Sequence, residues 1–260
     1  MDNQELLLRL LIVMFNNCAW RVNGNCDYKR KSVLPPYIKP CKKSDPDINN
    51  CIVKTIDELR PKLASGIPEL DAPAIEPLNL KEVHLIRGPV GAKLEINVTD
   101  LRVRGPSTFR VQNLTSDVEN VVFTFRVLFD KLSFKGKYQI DATVLLLKLR
   151  GQGNITGTFT DYASDVLLKA DKIQRDNDTY LHFEKMKLKL RIGKTHLQLT
   201  NLFGGDNVLS AATHELLNNN NALLLEELTP VLESSLSQLF TDVANNITKS
   251  FTYKELFPDD

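Results

Sequence analysis

Cysteine is scarce and confined to the front: Cys18, Cys26, Cys41 and Cys51 all lie in the first fifth of the 260 residues. Whatever the rest folds into is therefore held without disulfides. Charge of one sign is lacking too. Lys+Arg 33 against Asp+Glu 32 leave a formal +1, which supplies no overall electrostatic footprint for nucleic acid or an acidic membrane. Aromatics make up only 7% and there is one tryptophan. No G-x-S-x-G elbow positions a serine nucleophile. The four histidines, His84, His182, His196 and His214, are scattered. His214-Glu-Leu-Leu-Asn218 stops one ligand short of the zincin helix pattern, because Asn stands where the second His must be. Gly151-Gln-Gly153-Asn-Ile-Thr-Gly157 lacks the third glycine at dinucleotide-loop spacing and runs on into strand-like sequence. It reads as a bulge or corner in a sheet. No catalytic residue, cofactor site or metal site is expected.

The apolar content of 42% is adequate for a core, in one large domain or two small ones. At the front, the apolar run Leu6–Phe15 is too short to cross a bilayer of about 30 Å. It reads as a secretory leader weakened by Asp2, Glu5 and Arg9, with the cut falling between Ala19 and Asn25. The other reading is a cytosolic chain with an ordinary apolar N-terminal helix. Two features favour secretion. Five tripeptides fit the N-glycosylation acceptor, at Asn97, Asn113, Asn154, Asn177 and Asn246. The cysteines also suit an oxidising compartment: a bridge between Cys41 and Cys51 would close a short loop and contribute on the order of 2–3 kcal/mol. Their spacing fits no zinc pattern. Cys18 leaves with the leader, and Cys26 is either unpaired or trimmed.

What is abundant is periodicity. A short helix is expected from about Ile48 to Leu63, with Ile52, Ile56, Leu59 and Leu63 on one face and Gly66 ending it. Gly66–Leu78, with Pro68, Pro73 and Pro77, is an extended strap held down by Ile67, Leu70, Ile75 and Leu78. The middle alternates with period two, as one-side-buried antiparallel strands do. The alternating sets are Leu94/Ile96/Val98, Phe123/Phe125/Val127/Phe129, Phe134 to Leu146 with Tyr138, Ile140 and Val144 inward, and Met186/Leu188/Leu190/Ile192. Strands this long require a strongly curved sheet. Asn97 and Asn154 should face solvent. The row Lys185, Lys187, Lys189 and Arg191 reads as a solvated strand face in preference to an anion or headgroup site. A second helix fits Asp206–Leu217 with Asp206 as N-cap, and Asn218–Asn221 reads as a loop.

From Ala222 to Phe251 the residues Leu225, Leu228, Leu232, Leu236, Leu239, Val243 and Ile247 recur every three or four positions. That is one amphipathic helix of roughly 45 Å. Pro230 either kinks it or starts a new turn capped by Thr229. So long a stripe needs an equally long apolar surface, and either side chains or a ligand must fill the space between.

Several motifs stand in a telling order: C-x9-C, the short helix, GIPELDAPAIEPL, GKYQIDATVLLLKLRGQGNITG, NLFGGD at Asn201–Asp206, and a long helix ending in TYKELFP at Thr252–Pro258. This resembles the insect juvenile-hormone-binding and takeout family over roughly Leu34 to Pro258. The resemblance implies an α+β fold of the lipid-binding superfamily that includes bactericidal/permeability-increasing protein. In that fold a curved antiparallel sheet wraps a long helix and encloses an apolar tunnel. It further implies a secreted, monomeric, non-enzymatic carrier of juvenile hormone, a terpenoid or another lipid, with no cofactor, nucleic acid or stable membrane insertion. Cys41 and Cys51 match the family's N-terminal disulfide. Three departures stand out: Asp71 in the strap, Gly205 in NLFGGD, and Ala142, which narrows the expected tunnel. A second disulfide found in some hormone carriers has no cysteines here, which favours the takeout-like branch. The expected organisation is a leader at 1–24, a lead-in at 25–40 and one domain at 41–258. The expected lining is Phe123, Phe125, Val127, Tyr138, Ile140, Val144, Leu188 and Leu190 opposite Leu228, Leu232, Leu236 and Leu239, with Tyr138 as the one polar orienting contact. The alternatives are a structural or interaction protein with a filled core and, less well supported, an esterase.

Overall fold

The computed structural model describes residues 34–87, 94–144, 147–203, 209, 211, 212, 215, 218, 219 and 221–259. The chain divides into Met1–Ser32 and Val33–Asp260. All described residues belong to the second unit, so the leader and most of the lead-in, with Cys18 and Cys26, lie outside them.

Helix α1 (Ile48–Ser65) opens the described chain. It ends at Gly66, whose φ of 87° is easy only for glycine and whose N–H donates to the Leu63 carbonyl. Cys41 and Cys51 are disulfide-bonded across its first turn. The strap follows and closes on itself, with Ile67, Leu70 and Ala72 buried against Phe251.

Eight strands follow: β1 (Leu78–Arg87), β2 (Leu94–Arg104), β3 (Arg110–Asp117), β4 (Val122–Val144), β5 (Leu147–Arg175), β6 (Asp178–Phe183), β7 (Lys187–Arg191) and β8 (Lys194–Leu199). All pair antiparallel. The two longest, of 23 and 29 residues, form a central hairpin. One side of β4 carries β2 and β3 in line, with β1 outside β2; the far side of β5 carries β8, β7 and β6 in line.

Two expected strands, at Phe123–Phe129 and from Phe134, are one strand here. The inward residues are Phe123, Phe125, Val127 and Phe129, then Leu132, Phe134, Tyr138 and Ile140. The parity changes at Asp130. On β5 it changes at Asp161, which has a φ of 53°, and on the third row at Gly193, between β7 and β8. A crease thus crosses three neighbouring strands at one level. Because β4 and β5 change phase together, their register never slips from Val122↔Lys169 to Val144↔Leu147. The crease lets a very long hairpin curl while keeping one face apolar.

That unbroken register overturns the bulge expected at Gly151–Gly157. These glycines answer a different need: the chain at and after β8 crosses close over them. A Cβ on Gly153 would lie 2.1 Å from the Thr200 carbonyl oxygen, and one on Gly157 2.7 Å from that of His196. True bulges occur elsewhere, at Asp100 in β2 and Asn113 in β3, both with φ of 53°.

Helix α2 (Asn221–Thr248) runs through Pro230 without a break, so Thr229 does not cap a new helix and the helix stops short of Phe251. Asn218, Asn219 and Asn221 are helical, which corrects the loop expected there. Of the helix expected over Asp206–Leu217, the described residues Leu209, Ala211, Ala212 and Glu215 are helical; Asp206 lies outside them. A capping box of Thr252 and Glu255 starts the short helix α3 (Tyr253–Leu256). The expected α+β class and curled antiparallel sheet with a C-terminal helix are what the structure has.

Candidate ligand-binding interior

Helix α2 lies against the inner face of the sheet along one line of clusters. At one end Tyr138, Ile140, Leu199 and Leu202 are buried, with Leu228 packed on them. In the middle Leu132, Tyr162, Val166, Met186, Leu188 and Leu190 are buried, with Phe125, Val127, Leu232 and Leu236 beside them. At the other end Phe123 stacks on Phe257 with ring centroids 6.0 Å apart, among residues of α1 and α3. Most of the expected lining residues therefore do share the inner face, but in three groups. Phe123 belongs to the closed end. Leu239 is half-buried and outside these clusters, and the Val144 side chain is not among those described.

Tyr138 is buried and its hydroxyl donates to the Thr200 carbonyl at 3.0 Å. The polar partner required by burial is thus the chain itself, which takes the hydroxyl proton, so a ligand group would meet this oxygen as a donor to it. Burial raises its pKa above the ordinary phenol value.

Polar groups the sequence reading did not single out stand nearer the middle. Ser164 points inward between Tyr162 and Val166, opposite Val127 on β4 and Leu190 on β7. It is 6% exposed and its hydroxyl has no hydrogen-bond partner. The Thr195 hydroxyl, beside Phe159, is in the same condition. Tyr162 is held strongly in its neutral form by burial, reinforced by the nearby Glu233 carboxylate. The phase change at Asp161 hid this stretch: read with one parity, Ile155 to Ala170 shows no clean alternation.

The two edges of the sheet meet α2 differently. Along β6 and β7, one helix face supplies partners for free backbone groups at intervals of four residues. The Asn245 side chain accepts from the Phe183 N–H at 2.8 Å and donates to the Phe183 carbonyl at 3.1 Å. Thr241 accepts from the Met186 N–H at 2.8 Å, and the Ser237 hydroxyl donates to the Met186 carbonyl. Glu233 accepts from the Leu190 N–H at 2.9 Å and from Lys189 at 3.2 Å. On β8 a residue ahead of α2 does the same: Asn218 makes both bonds to the Leu197 backbone, at 2.9 and 3.0 Å. At the opposite edge no hydrogen bond or ion pair joins β1 to α2 among the described side chains. An open depression of about 380 Å³ lies there instead, lined by His84, Ile86, Pro230, Val231, Ser234 and Ser235.

Of the basic row, Lys189 and Arg191 on β7 pair with Glu233 and Asp165, and Lys185, ahead of the strand, donates to the Ser234 hydroxyl. Of the glycosylation candidates, Asn113, Asn154, Asn177 and Asn246 are exposed. Asn97 is half-buried, its amide donating to Glu82 at 2.9 Å. No group of metal-ligating side chains occurs among the described residues, and no helix among them is long and apolar enough to cross a membrane.

Comparison with known proteins agrees with this geometry. Residues 10–258 match the family model described as Haemolymph juvenile hormone binding protein. The circadian clock-controlled protein daywake of Drosophila melanogaster is 23% identical over 241 residues, covering 90% of this chain and 92% of its own. A Schistocerca gregaria protein named "Putative beta-carotene-binding protein" is 22% identical over 217 residues, 83% of this chain and 86% of its own. Among solved structures, Epiphyas postvittana Takeout 1 superposes with a TM-score of 0.71 at 17% identity, covering 85% of this chain and all of that one.

Proposed function

The chain belongs to the haemolymph juvenile hormone binding protein family, and from that premise we propose that it is a secreted, non-enzymatic carrier of an elongated apolar molecule. The ligand lies between α2 and the inner face of the sheet. The observation that carries this reading is the row of apolar clusters on the inner face, Tyr138 and Ile140 in one and Leu188 and Leu190 in the next, met by Leu228 and by Leu232 and Leu236 of α2 respectively. Desolvation is the mechanism. Burying about 300–400 Å² of apolar ligand surface yields roughly 8–10 kcal/mol gross at 25 cal/mol/Å². Ordering costs reduce this to micromolar or nanomolar affinity. Juvenile hormone, other terpenoids and fatty-acid-like lipids fit the class. The name of the Schistocerca gregaria relative supports an extended apolar ligand.

Native mass spectrometry of protein purified from the medium of expressing cells tests this, together with titration of a fluorescent fatty acid and of juvenile hormone. Co-purifying lipid or saturable uptake is expected, and Leu232→Trp, which fills the middle of the interior, should reduce uptake at least tenfold. Packing of Leu232 and Leu236 directly on the central cluster favours a second reading, a filled core with no ligand. Protein that carries nothing and takes up neither probe would establish that reading instead.

A further inference from the structure

The outer face of the sheet is divided by the crease into two halves of opposite electrostatic design. On the Phe123 side most outer cations have an acid: Arg126 and Arg191 share Asp165, Arg110 holds Asp130, Lys169 holds Glu184 and Lys189 holds Glu233, whereas Arg175, Lys185 and Lys187 form no ion pair among the described residues. On the Tyr138 side Arg102, Arg104, Lys131, Lys135 and Lys194 are exposed and form no ion pair among the described residues. Register lays them out in three rungs across four strand rows. Arg102 faces Lys135, which faces Thr156; Arg104 faces Ser133, then Thr158 and His196; Lys131 faces Thr160, which faces Lys194. The acids near this field are Asp100, held by Lys137 at 2.9 Å with Arg102 close enough to lower its pKa further, Glu76, which accepts from the Gly105 and Ser107 N–H groups beside Arg104, and on the crease Asp161 and Asp130, the latter held by Arg110. The Lys137–Asp100 pair and the Arg150–Asp141 pair close the far side.

Like charges directly opposite on neighbouring strands are unfavourable, and this chain has acids enough to pair them, as its other half does. Five unpaired cations separated by hydroxyls cover about 14 Å across the strands, from spacings near 4.8 Å, and about 13 Å along them. The cations are spread over four strand rows of an exposed face and do not converge on one point, as a site for a single small anion would require. A flat array of negative charges is the complement of this field.

We propose that this face docks the protein on the surface of a bilayer containing anionic phospholipid. The headgroup phosphates lie over the three rungs, with Ser133, Thr156, Thr158 and Thr160 donating to them. Its purpose rests on the carrier reading, since an apolar cargo is loaded from or delivered to a lipid phase; the docking itself does not depend on bound cargo.

Co-sedimentation of deglycosylated protein with vesicles tests it, because Asn154 faces Lys137 at the rim of the field. Binding is expected to phosphatidylcholine vesicles containing about 30% phosphatidylglycerol and not to phosphatidylcholine alone, weakening steeply as salt rises to about 0.15 M. The double substitution Lys135→Gln/Lys194→Gln should lower the partition coefficient about 25-fold, roughly fivefold for each basic side chain at an anionic surface. Lys169→Gln/Lys189→Gln removes the same charge from the paired half and should change it less than about twofold. Absence of binding to anionic vesicles, equal losses in the two doubles, or binding to a sulfated polysaccharide in place of vesicles would each overturn the proposal. Uptake of the fluorescent fatty acid is measured on the same samples. Wild-type protein that binds vesicles but takes up no probe argues against the carrier reading alone, while protein that takes up probe but ignores vesicles argues against docking alone.

Discussion

Ser164 and Gly153 are small residues for unlike reasons, and substitution separates them. The Ser164 hydroxyl is buried among apolar side chains without a partner, a condition that costs about 1–3 kcal/mol relative to a satisfied group. Ser164→Ala should therefore leave the ligand-free protein equally stable or up to about 1 kcal/mol more stable in urea denaturation. A loss of stability on that substitution would mean the hydroxyl has a partner in solution. Gly153 is small because the Thr200 carbonyl, which also accepts from Tyr138, lies where its side chain would be. Gly153→Ala should cost about 1–3 kcal/mol by overpacking, with the Tyr138 environment altered in near-ultraviolet circular dichroism. Neither role could be read from the residue type. The glycine suggested a bulge because its reason is a segment just past β8, far along the chain, and the serine sits where the inward parity had just changed.

At the scale of elements, α2 does two jobs with two faces. Leu228, Leu232 and Leu236 meet the inner sheet, while Glu233, Ser237, Thr241 and Asn245 bind the edge formed by β6 and β7. Asn245→Leu strands both backbone groups of Phe183 and should cost about 1–3 kcal/mol. Faster amide exchange at Phe183 than at β4 would localise the effect. The apolar stripe was legible in the sequence because its period is intrinsic to one helix. The polar line was not, because Ser, Thr and Asn at four-residue spacing look like an ordinary solvated face until the partner edge is placed. The same distinction explains the sheet. Alternation revealed parts of β2, β4 and β7. It did not reveal β1, β8 or the part of β5 beyond Asp161, where parity changes or short segments depend on pairing with β5; only the strand-like stretch after Gly153 pointed to β5.

At the scale of the molecule, acid sensitivity follows from its surface carboxylates. Asp165 is held below the ordinary carboxylate range by the hydrogen bond from Arg126 and the charges of Arg126 and Arg191; Asp130 is held there by Arg110 and Asp100 by Lys137. With folded pKa values below unfolded ones, the unfolded chain binds protons first. The contribution is complete above the unfolded value near pH 4 and is lost as pH falls through the depressed values. The thermal midpoint should fall below about pH 4, and less so in high salt because these groups are exposed; a midpoint that rises on acidification would contradict the pairing.

The unequal treatment of the two sheet edges also fixes where the protein is free to move. Bolted to α2 along β6 and β7 and unbolted along β1, the curled sheet resembles a door with one hinge side and one latch side. Widening the interior should swing β1, with His84 and Ile86, away from Pro230 and Val231 while the opposite edge stays fixed. Hydrogen exchange would register this as fast, cargo-sensitive amides on β1 beside slow, cargo-indifferent ones at Phe183, Met186 and Leu190.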